Sequence, residues 1–292
     1  MPNPDFDQLV PPVAALSRRR FVRHSVGTGF AAAVLPVVAQ TAIKTDSTGL
    51  VTGEVRISVG DFKMPAYRAA PSGKVGAPVV LVVSEVFGVH EHIADVARRF
   101  AKAGYFAVAP ELFVRQGDAQ SYGEIAKLIA EVVNKVPDEQ VMRDLDATVA
   151  WASGQGADAG KLGITGFCWG GRITWLYAAH NPAVKAGVAW YGRLIGQGTP
   201  LTPRHPVDVA AALSGPVLGL YGEKDTGIPL DGVERMKTVL AAGNAAARKS
   251  EFVVYPGAPH AFHADYRPSY VKEAADDGWK RCLAWMRAQG AA

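Results

Sequence analysis

From Glu54 onward the chain alternates short runs rich in β-branched and aromatic residues with longer runs whose apolar positions fall three and four apart. That alternation predicts a mostly parallel sheet with helices on both faces. The entry reads as a hairpin, EVRISVG followed by FKMPAYRAA, and APVVLVVSE is apolar without a break, as in a strand covered on both sides. In HEHIADVARRFAKAG the residues Ile93, Val96, Ala97, Phe100 and Ala101 share one helical face, and Gly104 marks the stop. A strand at YFAVAPEL and helical segments over 122–136 and 138–153 follow. Next come the strand KLGITGFC, the helix WGGRITWLYAAH, and strands at AGVAWYG and GPVLGLYGEKD. The helix DGVERMKTVLAAG, the strand SEFVVYPGAPH and a last helix over 270–289 complete the series. No repeat or low-complexity linker interrupts it, so residues 54–292 are expected to form one domain.

The first residues do not fit this alternation. SRRRFVRHS precedes the uncharged stretch VGTGFAAAVLPVVAQTA, the charged and apolar regions of an export signal. The apolar part, Val26 to Val38, is too short to span a bilayer comfortably, and Gly27, Gly29 and Pro36 weaken it further. Ser17-Arg18-Arg19-Arg20-Phe21-Val22-Arg23 resembles the twin-arginine motif, which implies a bacterial protein exported already folded. Residues 1–39 are therefore expected to be a signal peptide cleaved after Ala39, with 40–53 as a linker. The expected location is periplasmic or secreted, the export machinery is an expected partner, and a stable membrane span is expected only if the signal stays uncleaved.

Composition narrows the function. A formal charge of +4 over 292 residues, with basic residues clustered only at Arg18, Arg19, Arg20 and Arg23, gives no nucleic-acid footprint. With two cysteines, Cys168 and Cys282, there is no disulfide framework and no cysteine-based zinc site. His90 and His92 open a helix with no further ligand at a metal spacing, and read as polar first-turn residues.

Cys168 stands apart because Gly166-Phe167-Cys168-Trp169-Gly170 lies between a strand and a helix. A Gly-X-nucleophile-X-Gly turn in that context projects its central side chain from the top of the sheet. The amides of the following helix then favour a thiolate and a developing oxyanion. An α/β-hydrolase needs an acid and then a histidine at the ends of later strands. Asp225 follows GPVLGLYGEK and His260 follows SEFVVYPGAP, which is the required order.

Four stretches, SEVFGVHEHI, PELFVRQG, GFCWGGR and YGEKDTGIP with YPGAPHAFH, together resemble the dienelactone hydrolase family of the α/β-hydrolases. The resemblance spans most of Val55 to Arg287. It implies a Cys168, His260, Asp225 triad cleaving a carboxylic ester or lactone through an acyl-thioester, without a cofactor. In that family a glutamate pairs with the nucleophile and helps ionise it as substrate arrives, and Glu85 occupies its place. The backbone N–H groups of Val86 and Trp169 would form the oxyanion hole, Arg115 would bind the substrate carboxylate, and Trp190 and Tyr191 would border the pocket. One departure is plain: HAFHADYR has Ala264 where the family carries a second arginine, with His263 and Arg267 around it. That departure argues against a small anionic lactone and leaves a broad carboxylesterase or thioesterase as the main alternative. A ligand-binding protein without turnover is the alternative of another class.

Overall fold

The computed structural model describes residues 43–292, so the export signal expected over 1–39 lies outside the described residues. Eight strands form one sheet: β1 (Leu50–Val59), β2 (Phe62–Pro71), β3 (Pro78–Val83), β4 (Phe106–Pro110), β5 (Asp158–Phe167), β6 (Val184–Trp190), β7 (Val217–Gly222) and β8 (Glu251–Tyr255). Their order is β1-β2-β4-β3-β5-β6-β7-β8. The β1–β2 and β2–β4 pairs are antiparallel, and the strands from β4 through β8 are parallel. At the hairpin Val59 faces Phe62 across a two-residue Gly60-Asp61 loop, with Gly60 at φ 57° as so tight a turn requires.

The helices are α1 (Glu91–Lys102), α2 (Ile125–Glu131), α3 (Asp138–Gly154), α4 (Trp169–His180), the short α5 (Pro206–Val209), α6 (Leu230–Ala241), α7 (Ala245–Lys249) and α8 (Lys272–Ala288). Alternation along β5 shows how they are layered. A Cβ on Gly163 would meet Met286 of α8, whereas one on Gly166 would meet Thr174 of α4. Odd and even positions of a strand face opposite sides, so α8 and α4 cover opposite faces of the sheet. The ring of Phe100 in α1 lies 4.7 Å from Trp279 in α8, which puts α1 on the α8 side. On the other side α3 is bound to α4 by Arg172–Asp138 (2.7 Å) and Tyr177–Asp146 (2.9 Å). β3 is buried at every residue, as its unbroken apolar run predicts. Among the described residues no helix is long and apolar enough to cross a membrane.

Two boundaries differ from expectation. The stretch read as a linker up to residue 53 is tied to the domain, because β1 already starts at Leu50. Charged residues of α1 reach back to hold the residues before it: the Thr45 N–H donates to Asp95, Arg98 Nε donates to the Thr45 carbonyl (2.8 Å), and Lys102 pairs with Asp46. The helix expected over 122–136 is only Ile125–Glu131, followed by a tight turn at Val133–Lys135. Gly123 precedes it and the β-branched pair Val132-Val133 follows it, both poor helix formers.

Candidate active site

Cys168 sits between β5 and α4 at φ 53° and ψ −113°, a conformation that a residue with a side chain adopts only under constraint. The constraint is main-chain crowding. A Cβ on Gly166 would lie 2.1 Å from the Gly170 carbonyl oxygen, and one on Gly170 would lie 2.3 Å from that of Val83. Only glycine fits at either place, and the Cys168 N–H is fixed to the Trp190 carbonyl (3.0 Å). As the first residue of α4, Trp169 has an N–H with no intrahelical acceptor, facing the same end as the thiol.

The ends of β7 and β8 bring the other two residues to this point. Asp225 is buried and its Oδ2 accepts from His260 Nδ1 at 2.7 Å, while its Oδ1 accepts from the Gly227 N–H (3.0 Å). With Nδ1 committed, the opposite ring nitrogen of His260 is the one left to act toward Cys168, which lines the same narrow cavity. Burial would lower the His260 pKa, but the neighbouring Cys168 and the bond donated to Asp225 outweigh it and push it up to about 10. A narrow cavity meets Cys168 and His260, lined also by Glu85, Val86, Phe87, Ala261 and Arg267. A wider depression bordered by Asp146, Ser153, His180 and Asn181 opens on the α3–α4 side and contains none of these residues.

The remaining expectations divide. Val86 lines the cavity. Glu85 does too, but its carboxylate pairs with His90 Nε2 (3.1 Å) and accepts from the Tyr266 hydroxyl (3.4 Å), so its partner is an imidazole rather than the thiol. Arg115 is corrected outright. It makes a two-pronged bond to Asp144 of α3 (2.6 and 2.9 Å) and stacks over Phe62 (4.1 Å), so its fork is already filled by a carboxylate of this chain. Trp190 belongs to the core and not to the pocket wall: its Nε1 donates to Thr165 Oγ1 (3.0 Å) and its ring packs on His263 (4.5 Å). Tyr191 is fully buried at φ 39° and meets the His260 ring edge-on at 5.1 Å, so it backs the base without lining the cavity.

Sequence reasoning missed three residues. Arg267 is buried, its guanidinium lies over the Phe87 ring (4.7 Å), and its Nε has no hydrogen-bond partner. It is the one arginine lining the cavity, and it arrives there because the chain after His260 winds back in short turns, Ala264 N–H to Ala261 and Arg267 N–H to Ala264. His90 and His92, read as polar first-turn residues, are buried under Tyr266 and Asp265, with His92 Nδ1 on Asp265 at 3.1 Å.

Glu111 supports the loop that carries Glu85 and Val86. Its Oε2 accepts the Val89 N–H (2.8 Å), and a Cβ on Gly88 would collide with the carboxylate at 2.7 Å. Burial pushes its pKa up to about 7, against the two backbone bonds from Val89 and Phe113. A raised acid pKa means that the folded chain holds a proton which the unfolded chain has lost. Stability therefore falls as pH climbs from the unfolded value toward 7, by about 3 kcal/mol. Glu111→Gln should remove that slope, giving a protein more stable than the parent at pH about 8 and equal to it at pH about 4, as read by urea unfolding.

The sheet order, the turn at Cys168, and an acid and a histidine following β7 and β8 define an α/β-hydrolase. The chain belongs to the dienelactone hydrolase family, which it matches over residues 64–290. It is 62% identical over 278 residues to the "Putative carboxymethylenebutenolidase" of Methylorubrum extorquens, covering 95% of this chain and 94% of that protein. A protein of the same name from Yersinia pestis is 57% identical over 243 residues, covering 83% and 90%. The crystal structure of a "Putative Dienelactone Hydrolase" from Klebsiella pneumoniae superposes with a TM-score of 0.79 at 56% identity, covering 82% of this chain and 98% of that one. The protein is an ester or lactone hydrolase.

Proposed function

We propose that Cys168, His260 and Asp225 hydrolyse a small carboxylate-bearing ester or lactone through an acyl-thioester. The observation that carries this reading is the His260 ring, bonded to Asp225 at 2.7 Å through Nδ1 and lining one narrow cavity with Cys168. The thiolate sulfur attacks the carbonyl carbon, and the oxygen that becomes negative is received by the N–H groups of Val86 and Trp169. As the carbon–oxygen bond to the leaving group breaks, His260 returns its proton to that oxygen. Water then attacks the thioester with His260 taking its proton, and the acid and free thiol are released. Asp225 holds the imidazole in the tautomer this requires. Arg267 supplies the cation for the substrate carboxylate, a role for which its unpartnered buried Nε is suited.

The test is hydrolysis of dienelactone beside neutral p-nitrophenyl esters, with mass spectrometry of the quenched protein. A Cys168-linked acyl adduct and dienelactone turnover support the reading. Turnover of neutral esters alone makes this a broad carboxylesterase or thioesterase. Adduct formation without any turnover makes it a binding protein. We further propose that residues 1–39 direct twin-arginine export and are removed after Ala39, so that the enzyme works outside the cytoplasm. Arg18→Lys with Arg19→Lys should then keep the full chain inside the cell on fractionation, and export that survives the pair of substitutions counts against this address.

A further inference from the structure

The turn after β4, residues 111–116, is fixed from three sides. The Glu111 N–H donates to the Pro65 carbonyl of β2 (2.9 Å), Arg115 forms its two-pronged bond to Asp144 of α3, and the Gln116 amide donates to that of Gln140 (2.9 Å). From this turn two side chains reach the surroundings of Val86 and Trp169. Glu111 Oε2 accepts the Val89 N–H (2.8 Å), three residues beyond Val86, and the Phe113 ring packs on that of Trp169 at 4.7 Å. A little further along, Gln120 Nε2 donates to the Val89 carbonyl (3.0 Å), so both main-chain groups of Val89 are held by side chains. Gly88 turns beside them at φ 74°, and the Glu111 carboxylate fills the place that any Cβ there would take.

We propose that Glu111 is a positioning residue for the oxyanion hole: by holding Val89 it sets where the Val86 N–H lies, while Phe113 on the same turn steadies Trp169, so that one turn aligns both donors. This rests on the hydrolase reading above, in which those two N–H groups receive the oxyanion, and adds the residue that aligns them. Donors aimed at developing charge act through their geometry, and a hydrogen bond weakens steeply as it bends. A misplacement of about 1 Å can slow a reaction by about 10²-fold. Arg115 then serves the same end from further away, by anchoring the turn to α3.

The chemistry of the side chain agrees. Glu111 is buried and its Oε1 has no hydrogen-bond partner, an arrangement that costs stability. An apolar side chain of similar size would fill the space beside Gly88 without that cost, but it would leave the buried Val89 N–H unpaired. A carboxyl group that breaks the rule for interiors is expected where a site depends on it. Here the dependent element is the loop from Glu85 to His90, whose own closing bonds are Gly88 N–H to Glu85 (3.4 Å) and His90 N–H to Gly88 (3.1 Å).

The test compares two reactions of the same sulfur. Ester hydrolysis builds a negative oxygen that the two N–H groups must receive, whereas alkylation by iodoacetamide forms a sulfur–carbon bond, expels iodide and builds no oxyanion. In Glu111→Leu, kcat on p-nitrophenyl acetate should fall by about 10- to 10²-fold with KM within about twofold, the mark of an interaction made only in the transition state. Alkylation of Cys168, read by mass spectrometry, should keep the parent rate, and thermal unfolding should show a folded protein. Glu111→Gln still offers an acceptor to the Val89 N–H and should retain about a third of the parent kcat or more. A merely structural Glu111 would slow hydrolysis and alkylation together. The proposal is overturned if folded Glu111→Leu hydrolyses at the parent rate, if alkylation slows as much as hydrolysis, or if Glu111→Gln is as slow as Glu111→Leu. Should Glu111→Leu not fold, Gln120→Leu decides, because it frees only the Val89 carbonyl and from a half-buried position. That variant should lose about threefold in kcat with alkylation unchanged, and hydrolysis at the parent rate overturns the proposal. Inactive Cys168→Ala beside an unaffected Glu111→Leu rejects this inference alone, whereas Cys168→Ala that keeps the parent rate rejects the hydrolase mechanism and this inference with it.

Discussion

Cys168→Ala is expected to abolish ester hydrolysis, with a fall in kcat of about 10⁴-fold or more and no change in fold. The size follows from what else the cavity offers. Its other lining residues are Glu85, Val86, Phe87, His260, Ala261 and Arg267, and Glu85, the remaining anion, is committed to His90 and Tyr266. Without the sulfur, the oxyanion donors and the base can at most assist direct attack by water, the residual activity left when a nucleophile is removed. Folding is spared because the strain at φ 53° belongs to the backbone and is the same for alanine, and the side chain is only half-buried. The measurement pairs kcat on p-nitrophenyl acetate with thermal unfolding. Retention of a tenth of the parent rate would remove Cys168 from the mechanism.

Arg267→Leu separates substrates by charge. For a lactone bearing a carboxylate, kcat/KM should fall by about 10²-fold, the worth of charge-assisted hydrogen bonds to a buried guanidinium. Neutral esters should change by no more than about threefold. Arg267→Lys keeps the charge and loses the fork, so it should lie between. The control is Arg115→Ala. Its Asp144 partner is buried while Arg115 itself is 22% exposed, so breaking the pair should cost about 1–3 kcal/mol of stability, less than a fully buried pair, and leave KM for the anionic lactone unchanged. If instead Arg115→Ala raises that KM and Arg267→Leu does not, the two assignments made here are reversed.

The contrast between these arginines shows what the sequence could and could not reveal. Most strands and the residues that end them were legible, because each apolar run is a local signal and because Gly166, Cys168 and Gly170 record a local crowding of main chain. Asp225 and His260 were legible for the same reason, each following its strand directly. Arg115 stood at the expected place in its own segment, but Asp144 lies 29 residues away on α3 and nothing local announces that it will take the guanidinium. Arg267 was passed over because a fixed offset from His260 lands on Ala264, and only the tight turns from Ala261 onward bring residue 267 back to the cavity. His90 and His92 opened a helix and so read only as polar first-turn residues. Their burial comes from Tyr266 and Asp265, more than 170 residues further along the chain.

That returning segment has a consequence for how specificity is built. On the proposed roles, His260 as proton-transfer group and Arg267 as anion receptor lie seven residues apart on one stretch of chain between β8 and α8, while Cys168 is clamped by glycines on another. Any movement that opens the cavity by lifting this stretch carries both away from the sulfur together. On those roles, a change confined to this one stretch would alter substrate capture and proton transfer together without disturbing the sheet.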